Sequence, residues 1–145
     1  MIRVFNTKEL SNISKNIDLK KFLPFLEDEF NIKKDINIIF VKQKQIQKLN
    51  KQYRGKDEVT DVLSFNLDSN NILGEIYISP EYVINTIERK ENIQEKIYRL
   101  IVHGLLHLQG YDHKRSFNKV DYENEPMYIK QEEIVNKFLK QMIRK

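Results

Sequence analysis

Along the stretch 93–109 apolar residues recur every four positions, at Ile93, Ile97, Ile101 and Leu105, and Leu100, Val102, Leu106 and Leu108 fill in the sides. This spacing predicts a helix whose second half is apolar nearly all round and which is therefore buried in the centre of the domain. Gly110 is its natural stop, since glycine enters the left-handed conformation without a steric penalty. Upstream, 35–41 alternates and sets Ile36, Ile38 and Phe40 on one face, the pattern of a half-buried strand, while 43–53 places Ile46 and Leu49 at helical spacing. The stretches 62–67 and 73–79 read as two strands of a hairpin, joined by the turn-forming run Asp68, Ser69, Asn70, Asn71. A short strand is expected over 1–5, and a helical region over 17–30 that Pro24 kinks or splits, because proline lacks the amide hydrogen a helix interior needs. A last helix is expected over 128–143, carrying Ile129, Ile134, Phe138 and Met142. Strands come early and helices late, which predicts a layered α+β domain: a small mixed β-sheet flanked by helices, with 93–109 as the central helix.

Composition narrows the class. A chain of 145 residues buries roughly 70% of the surface its unfolded form exposes, enough for one domain over 1–145 without disulfides. There are no cysteines, which removes thiolate metal sites, iron–sulfur clusters and cysteine nucleophiles together. No apolar run approaches the ~18 residues of a membrane span, and the start lacks a signal-like apolar core, so the expected location is cytoplasmic. The formal charge is +4, but nineteen Lys, nineteen Ile and fourteen Asn with no Ala are what AT-rich coding imposes on any protein, so the basic balance adds only modest support for an anionic partner.

All three histidines, His103, His107 and His113, lie on or just after the central helix. His103 and His107 are four apart, so their imidazoles leave the same helix face one turn from each other and can hold one ion. After the turn at Gly110, His113 can fold back as a third ligand. Three neutral imidazoles with a fourth position open suit a catalytic zinc. A lone histidine on an apolar helix is more often a buried ring bonded to a carbonyl, but two such rings would each need a polar partner, and burying either without one costs roughly 1–3 kcal/mol. One ion satisfies both. The ligand spacing in HGLLHLQGYDH equals that of the metzincin proteases, yet those keep a Glu beside the first His as general base, whereas this chain has Gly104. A mid-helix glycine costs about 1 kcal/mol against Ala, which implies either close packing or room left open beside the metal.

The same motif, HGxLHLxGYDH, together with YRGKDEVTDVLSF over 53–65 and LGEI over 73–76, resembles the YbeY family of endoribonucleases and ribosomal RNA maturation factors. These blocks and their order cover about half of the chain. It departs from the family pattern at Glu75, usually Asp, at Asn66, commonly Pro, and after His113, where the typical acidic stretch is lacking. The resemblance implies a small mixed sheet flanked by helices and one zinc per chain on His103, His107 and His113. It also implies single-strand-specific hydrolysis of RNA during maturation of the 3′ end of small-subunit ribosomal RNA and in ribosome quality control. Implied partners are precursor ribosomal RNA, small-subunit ribosomal proteins and assembly factors.

The residue chemistry agrees with an anionic substrate. A zinc on three neutral ligands keeps its full charge and lowers the pKa of a bound water towards about 7, so that the water on the His103 ion can attack without a separate base. Charge building on the phosphate calls for a cation, and Arg54, at the family's arginine position, has a forked guanidinium suited to paired phosphate contacts. A surface ion pair with Asp57 or Glu58 is its alternative. Asp61 and Asp112 are candidates for orienting a histidine through its other ring nitrogen, although Asp112, directly after Gly110 and Tyr111, better suits a turn cap. Lys56, Lys114 and Arg115 lie near the motifs and could track an RNA backbone, solvated surface being the equal alternative. Beside the endoribonuclease stand a zinc peptidase, which would lack its base, and a non-catalytic ribosome-assembly factor with a structural zinc.

Overall fold

The structure is a computed structural model and describes residues 1–67, 69–111 and 125–143. Four strands, β1 (Ile2–Phe5), β2 (Asp35–Phe40), β3 (Val62–Asn66) and β4 (Ile72–Ile78), form one sheet in the order β1-β2-β4-β3. β1, β2 and β4 run parallel, and β3 pairs antiparallel with β4 at the edge. The expected hairpin is present. The sheet is mixed, and helices cover both faces, so the α+β architecture stands.

Alternation decides which face each helix covers. Ile36, Ile38 and Phe40 of β2 and Ile76 and Ile78 of β4 are fully buried on one face. There they meet α2 (Leu19–Glu29), α5 (Ile93–Leu108) and α6 (Pro126–Ile143). Phe22, Tyr98 and Phe138 knit these three helices, with ring centroids 4.5 Å, 4.7 Å and 5.3 Å apart. On the other face Ile39, Leu63, Phe65 and Tyr77 pack with Ile46 and Leu49 of α3 (Gln43–Arg54).

Three features depart from the sequence expectation. Pro24 does not split its helix: α2 is one uninterrupted element, begun by Asp18, whose side chain accepts from the Lys21 amide at 3.2 Å. Phe22 and Leu26 are fully buried on either side of the proline, and burying two large side chains outweighs one lost backbone hydrogen bond. Two short helices were not foreseen, α1 (Lys8–Ser11) and α4 (Pro80–Thr86). Ser79 belongs to α4 rather than to β4, because its hydroxyl caps the Tyr82 amide at 3.4 Å, with Pro80 at the first helical position. The other elements fall within two residues of their expected bounds, α6 beginning at Pro126.

Two glycines bring α5 close to the sheet. A Cβ at Gly104 would lie 2.8 Å from Cγ2 of Ile76, and one at Gly74 would lie 2.5 Å from the Phe65 carbonyl oxygen and 2.6 Å from Cδ2 of Leu108. Of the two readings of Gly104, close packing is the correct one. The contact seats the C-terminal half of α5 against the β3–β4 hairpin.

Candidate metal centre and its two cavities

His103 and His107 project from one side of α5, their ring centroids 4.7 Å apart and their planes at 76°. Their Nε2 atoms stand 3.2 Å from each other. Each ring is held by its other nitrogen. Nδ1 of His103 is 2.9 Å from Oε1 of Gln131 on α6, and Nδ1 of His107 is 3.1 Å from the Tyr111 carbonyl oxygen. The second contact follows from how α5 ends. Gly110, at φ +99°, donates its amide to the His107 carbonyl and Tyr111 donates to that of Leu106, both at 3.0 Å, and this turn brings the Tyr111 carbonyl back over the histidine.

These partners fix where the ring hydrogens sit. A carbonyl oxygen only accepts, so His107 carries its hydrogen on Nδ1. Gln131 could in principle offer either oxygen or nitrogen, but its Nε2 donates to Oε2 of Glu132 at 3.2 Å, which turns the oxygen toward His103. Both Nδ1 atoms therefore donate, and both Nε2 lone pairs face each other. Such an arrangement suits a positive charge between the two nitrogens. Two ligands each about 2.0–2.1 Å from a tetrahedral zinc stand roughly 3.3 Å apart, so the pair fits an ion without rearrangement. The other proposed ligand, His113, lies outside the described residues, as do Asp112, Lys114 and Arg115. Among the described residues no three acidic, histidine or cysteine side chains gather into a metal cluster.

The histidine pair lies between two cavities. One, about 260 Å³, is lined by His107, Arg54, Ser64, Asn66, Gly110 and Tyr111. Arg54 ends α3, on the far face of the sheet, yet it lines this cavity together with Ser64 and Asn66 of the edge strand β3; Tyr53 meets Phe65 nearby at a tilt of 58°, centroids 5.3 Å apart. Arg54 is exposed and has no ion pair among the described residues, whereas Asp57 takes a 3.0 Å hydrogen bond from Gln47 and lies 3.9 Å from Lys51. Gly55, at φ +69°, turns the chain after Arg54, and buried Asn50 ties the following loop back by donating to the Glu58 carbonyl at 3.1 Å. Lys56 is exposed in that loop and lines neither cavity.

The second cavity, about 510 Å³, adjoins His103 and includes Asp61, Lys96, Arg99, Tyr128, Gln131 and Glu132. Asp61 thus shares a cavity with His103, whose Nδ1 faces Gln131. That glutamine is 5% exposed on the stripe of α6 that also carries Met127, Ile134 and Phe138. A polar residue in step with an apolar stripe is the one signal that could have marked it.

The sequence model of the family described as Endoribonuclease YbeY matches residues 3–139. The chain belongs to the YbeY endoribonuclease family. It is 35% identical over 141 residues to Endoribonuclease YbeY of Thermotoga maritima, an alignment covering 93% of this chain and 87% of the relative. With the Aliarcobacter butzleri protein of that name it is 38% identical over 135 residues, covering 84% and 91%. A solution structure of a Thermotoga maritima protein superimposes with a TM-score of 0.62 at 32% identity, covering 98% of this chain and 91% of that one.

Two of the three departures from the YbeY pattern can be placed, and the third begins after His113, outside the described residues. Glu75 lies on the sheet face opposite the histidines, where its Oε1 accepts from the Tyr77 hydroxyl at 3.1 Å, so the change from Asp does not reach the centre. Burial, reinforced by that neighbouring carboxylate, pushes the Tyr77 hydroxyl up to about 12. Asn66, by contrast, lines the Arg54 cavity and supplies an amide there. No helix among the described residues is long and apolar enough to cross a membrane.

Proposed function

We propose that this chain is a zinc-dependent endoribonuclease that cuts single-stranded RNA in the maturation of ribosomal RNA. The observation that carries the reading is the cavity in which the guanidinium of Arg54, unpaired among the described residues, shares walls with His107, beside two imidazole nitrogens turned toward one another. Family membership supports it, since the YbeY relatives are named endoribonucleases.

His103 and His107, with His113 as the third imidazole, would hold the ion. When bound, zinc supplies a Lewis acid that neutralises phosphate charge and lowers the pKa of water towards about 7. The protein's own part is positioning. Arg54, without a carboxylate partner among the described residues, offers two parallel N–H groups to the oxygens of a phosphodiester. The Ser64 hydroxyl and Asn66 amide, on the α5 side of β3, line the same cavity and add uncharged donors. A fixed cation beside the reacting phosphate favours the more highly charged transition state over the ground state.

The peptidase reading loses ground on geometry. The position beside His103 that would carry a base faces Ile76 in the core, so even a carboxylate there would point into the sheet. Precursor ribosomal RNA is the proposed substrate, with small-subunit proteins and assembly factors as partners and the cytoplasm as location. Zinc-loaded protein should cleave labelled ribosomal RNA precursor and leave casein intact, and chelator should abolish the cleavage. Affinity for single-stranded RNA should fall steeply with salt as counterions are released. Casein cleavage would overturn the reading, and RNA binding with no cleavage would leave only an assembly factor.

A further inference from the structure

A chain of hydrogen bonds links α5 to α6 behind the histidine pair. Nε of Arg99 donates to both carboxylate oxygens of Glu132 at 3.0 Å, and a terminal nitrogen of Arg99 lies 3.5 Å from Oε1 of Glu95. Glu132 Oε2 accepts from Nε2 of Gln131, whose Oε1 faces Nδ1 of His103. The side chains of Arg99 and Glu132 are only 28% and 21% exposed, so the pair is shielded from competing water. Polarity is set at every link. Guanidinium only donates and carboxylate only accepts, so the amide has one orientation that satisfies both ends.

We infer that Gln131, oriented by the Arg99–Glu132 pair, is the positioning residue that keeps the hydrogen of His103 on Nδ1 and therefore off Nε2, the nitrogen that would bind an ion. The inference rests on the proposed function for the identity of that ion, but not for the ring geometry. A free imidazole in water favours hydrogen on Nε2, the nitrogen an ion needs bare. Without an acceptor at position 131, ion binding at His103 would first have to move that hydrogen and fix the ring. His107 needs no such side chain, because the backbone turn at Gly110 supplies its acceptor. The two histidines therefore differ in what holds them, and one serves as the internal control for the other.

The full chain, stripped of metal by chelator at mildly alkaline pH, is examined by long-range nitrogen–proton correlation, which reports the hydrogen-bearing nitrogen of each ring. It is then titrated with zinc alone against a competing chelator. Wild type should carry hydrogen on Nδ1 of both rings. Gln131→Leu, an apolar side chain on an apolar stripe, should move the hydrogen of His103 to Nε2, leave His107 unchanged, and weaken zinc binding by roughly 10-fold to 100-fold, the usual effect of losing a ligand's hydrogen-bond partner. Gln131→Glu, with an acceptor on either branch, should restore the wild-type signature at His103. Glu132→Gln, which lets the amide turn either way, should give a mixture there, and this pair of variants carries the test should the leucine variant not fold. His103 keeping its Nδ1 hydrogen in Gln131→Leu, or both rings changing together, would overturn the inference. Wild type with hydrogen on both Nδ1 atoms but no zinc uptake would uphold it and overturn the zinc reading instead.

Discussion

Gly104 rests on Ile76 so closely that a Cβ would sit 2.8 Å from Cγ2 and 3.0 Å from Cδ1 of that fully buried side chain. The residue next to the first histidine is thus turned into the sheet while the histidine itself faces the cavities. A motif that shares its ligand spacing with a protease family has at this point a packing residue where a protease has its base.

Gly104→Ala should destabilise the protein although alanine is the better helix former. Forcing an extra carbon into a packed core costs typically 1–3 kcal/mol, and the helix preference returns about 1 kcal/mol, which leaves a net loss on the order of 1 kcal/mol. Urea melts at constant slope would show it as a lower midpoint. A midpoint above wild type would mean that α5 and β4 separate more easily than this contact implies.

Arg54→Ala should leave stability within about 1 kcal/mol of wild type, because the side chain is exposed and unpaired among the described residues. Single-turnover cleavage of one RNA should nevertheless fall by roughly 100-fold to 1,000-fold at equal zinc occupancy, the scale for removing one preorganised donor. Arg54→Lys should recover only part of the loss, since a point charge cannot make paired contacts. Full activity in the alanine variant would remove Arg54 from the mechanism.

Elemental analysis of protein purified without chelator should find about one zinc per chain. Its removal should lower the melting temperature, because an ion that binds only the folded chain stabilises it by mass action. His107→Ala should weaken zinc more than His113→Ala, as His107 stands on the buried helix α5 with its ring held by the Tyr111 carbonyl. Protein free of any transition metal would count against the centre altogether.

Alkaline pH should destabilise the fold through Tyr77. Burial first, and then Glu75, raise its hydroxyl from the usual 10.0 to about 12. The folded chain thus keeps a proton that the unfolded chain releases. The resulting stability is fully present below about pH 10 and is lost as pH rises through about 12. Tyr77→Phe should flatten part of this fall in denaturant melts, the remainder belonging to Tyr98, which burial shifts in the same direction. An unchanged alkaline limb in the variant would show that Tyr77 ionises equally easily in both states.

The hairpin, β2, α3 and α5 were legible because each is written in local periodicity: alternation over Ile36, Ile38 and Phe40, a four-residue repeat over Ile93, Ile97, Ile101 and Leu105, and a glycine where α5 must stop. The histidine spacing was legible for the same reason, since residues four apart on a helix are neighbours in any fold. The continuity of α2 across Pro24 was not legible, because the local cost of the proline is visible in sequence while the burial of Phe22 and Leu26 that offsets it is not. The α4 start was written in Ser79 and Pro80, but it followed a strand so directly that the strand pattern absorbed it.

By itself, then, the sequence determined the elements, the α+β class and the pairing of two imidazoles on one helix face, all properties of residues a few positions apart. Only the tertiary structure decided what lies around them. Gln131 reaches His103 from 28 positions away, and Arg54, from a helix on the opposite face of the sheet, shares a cavity with His107 beside the edge strand. Those relationships depend on how helices and sheet pack, which is set by the shape of the whole core and by two glycines that let α5 approach it, and no periodicity along the chain records them.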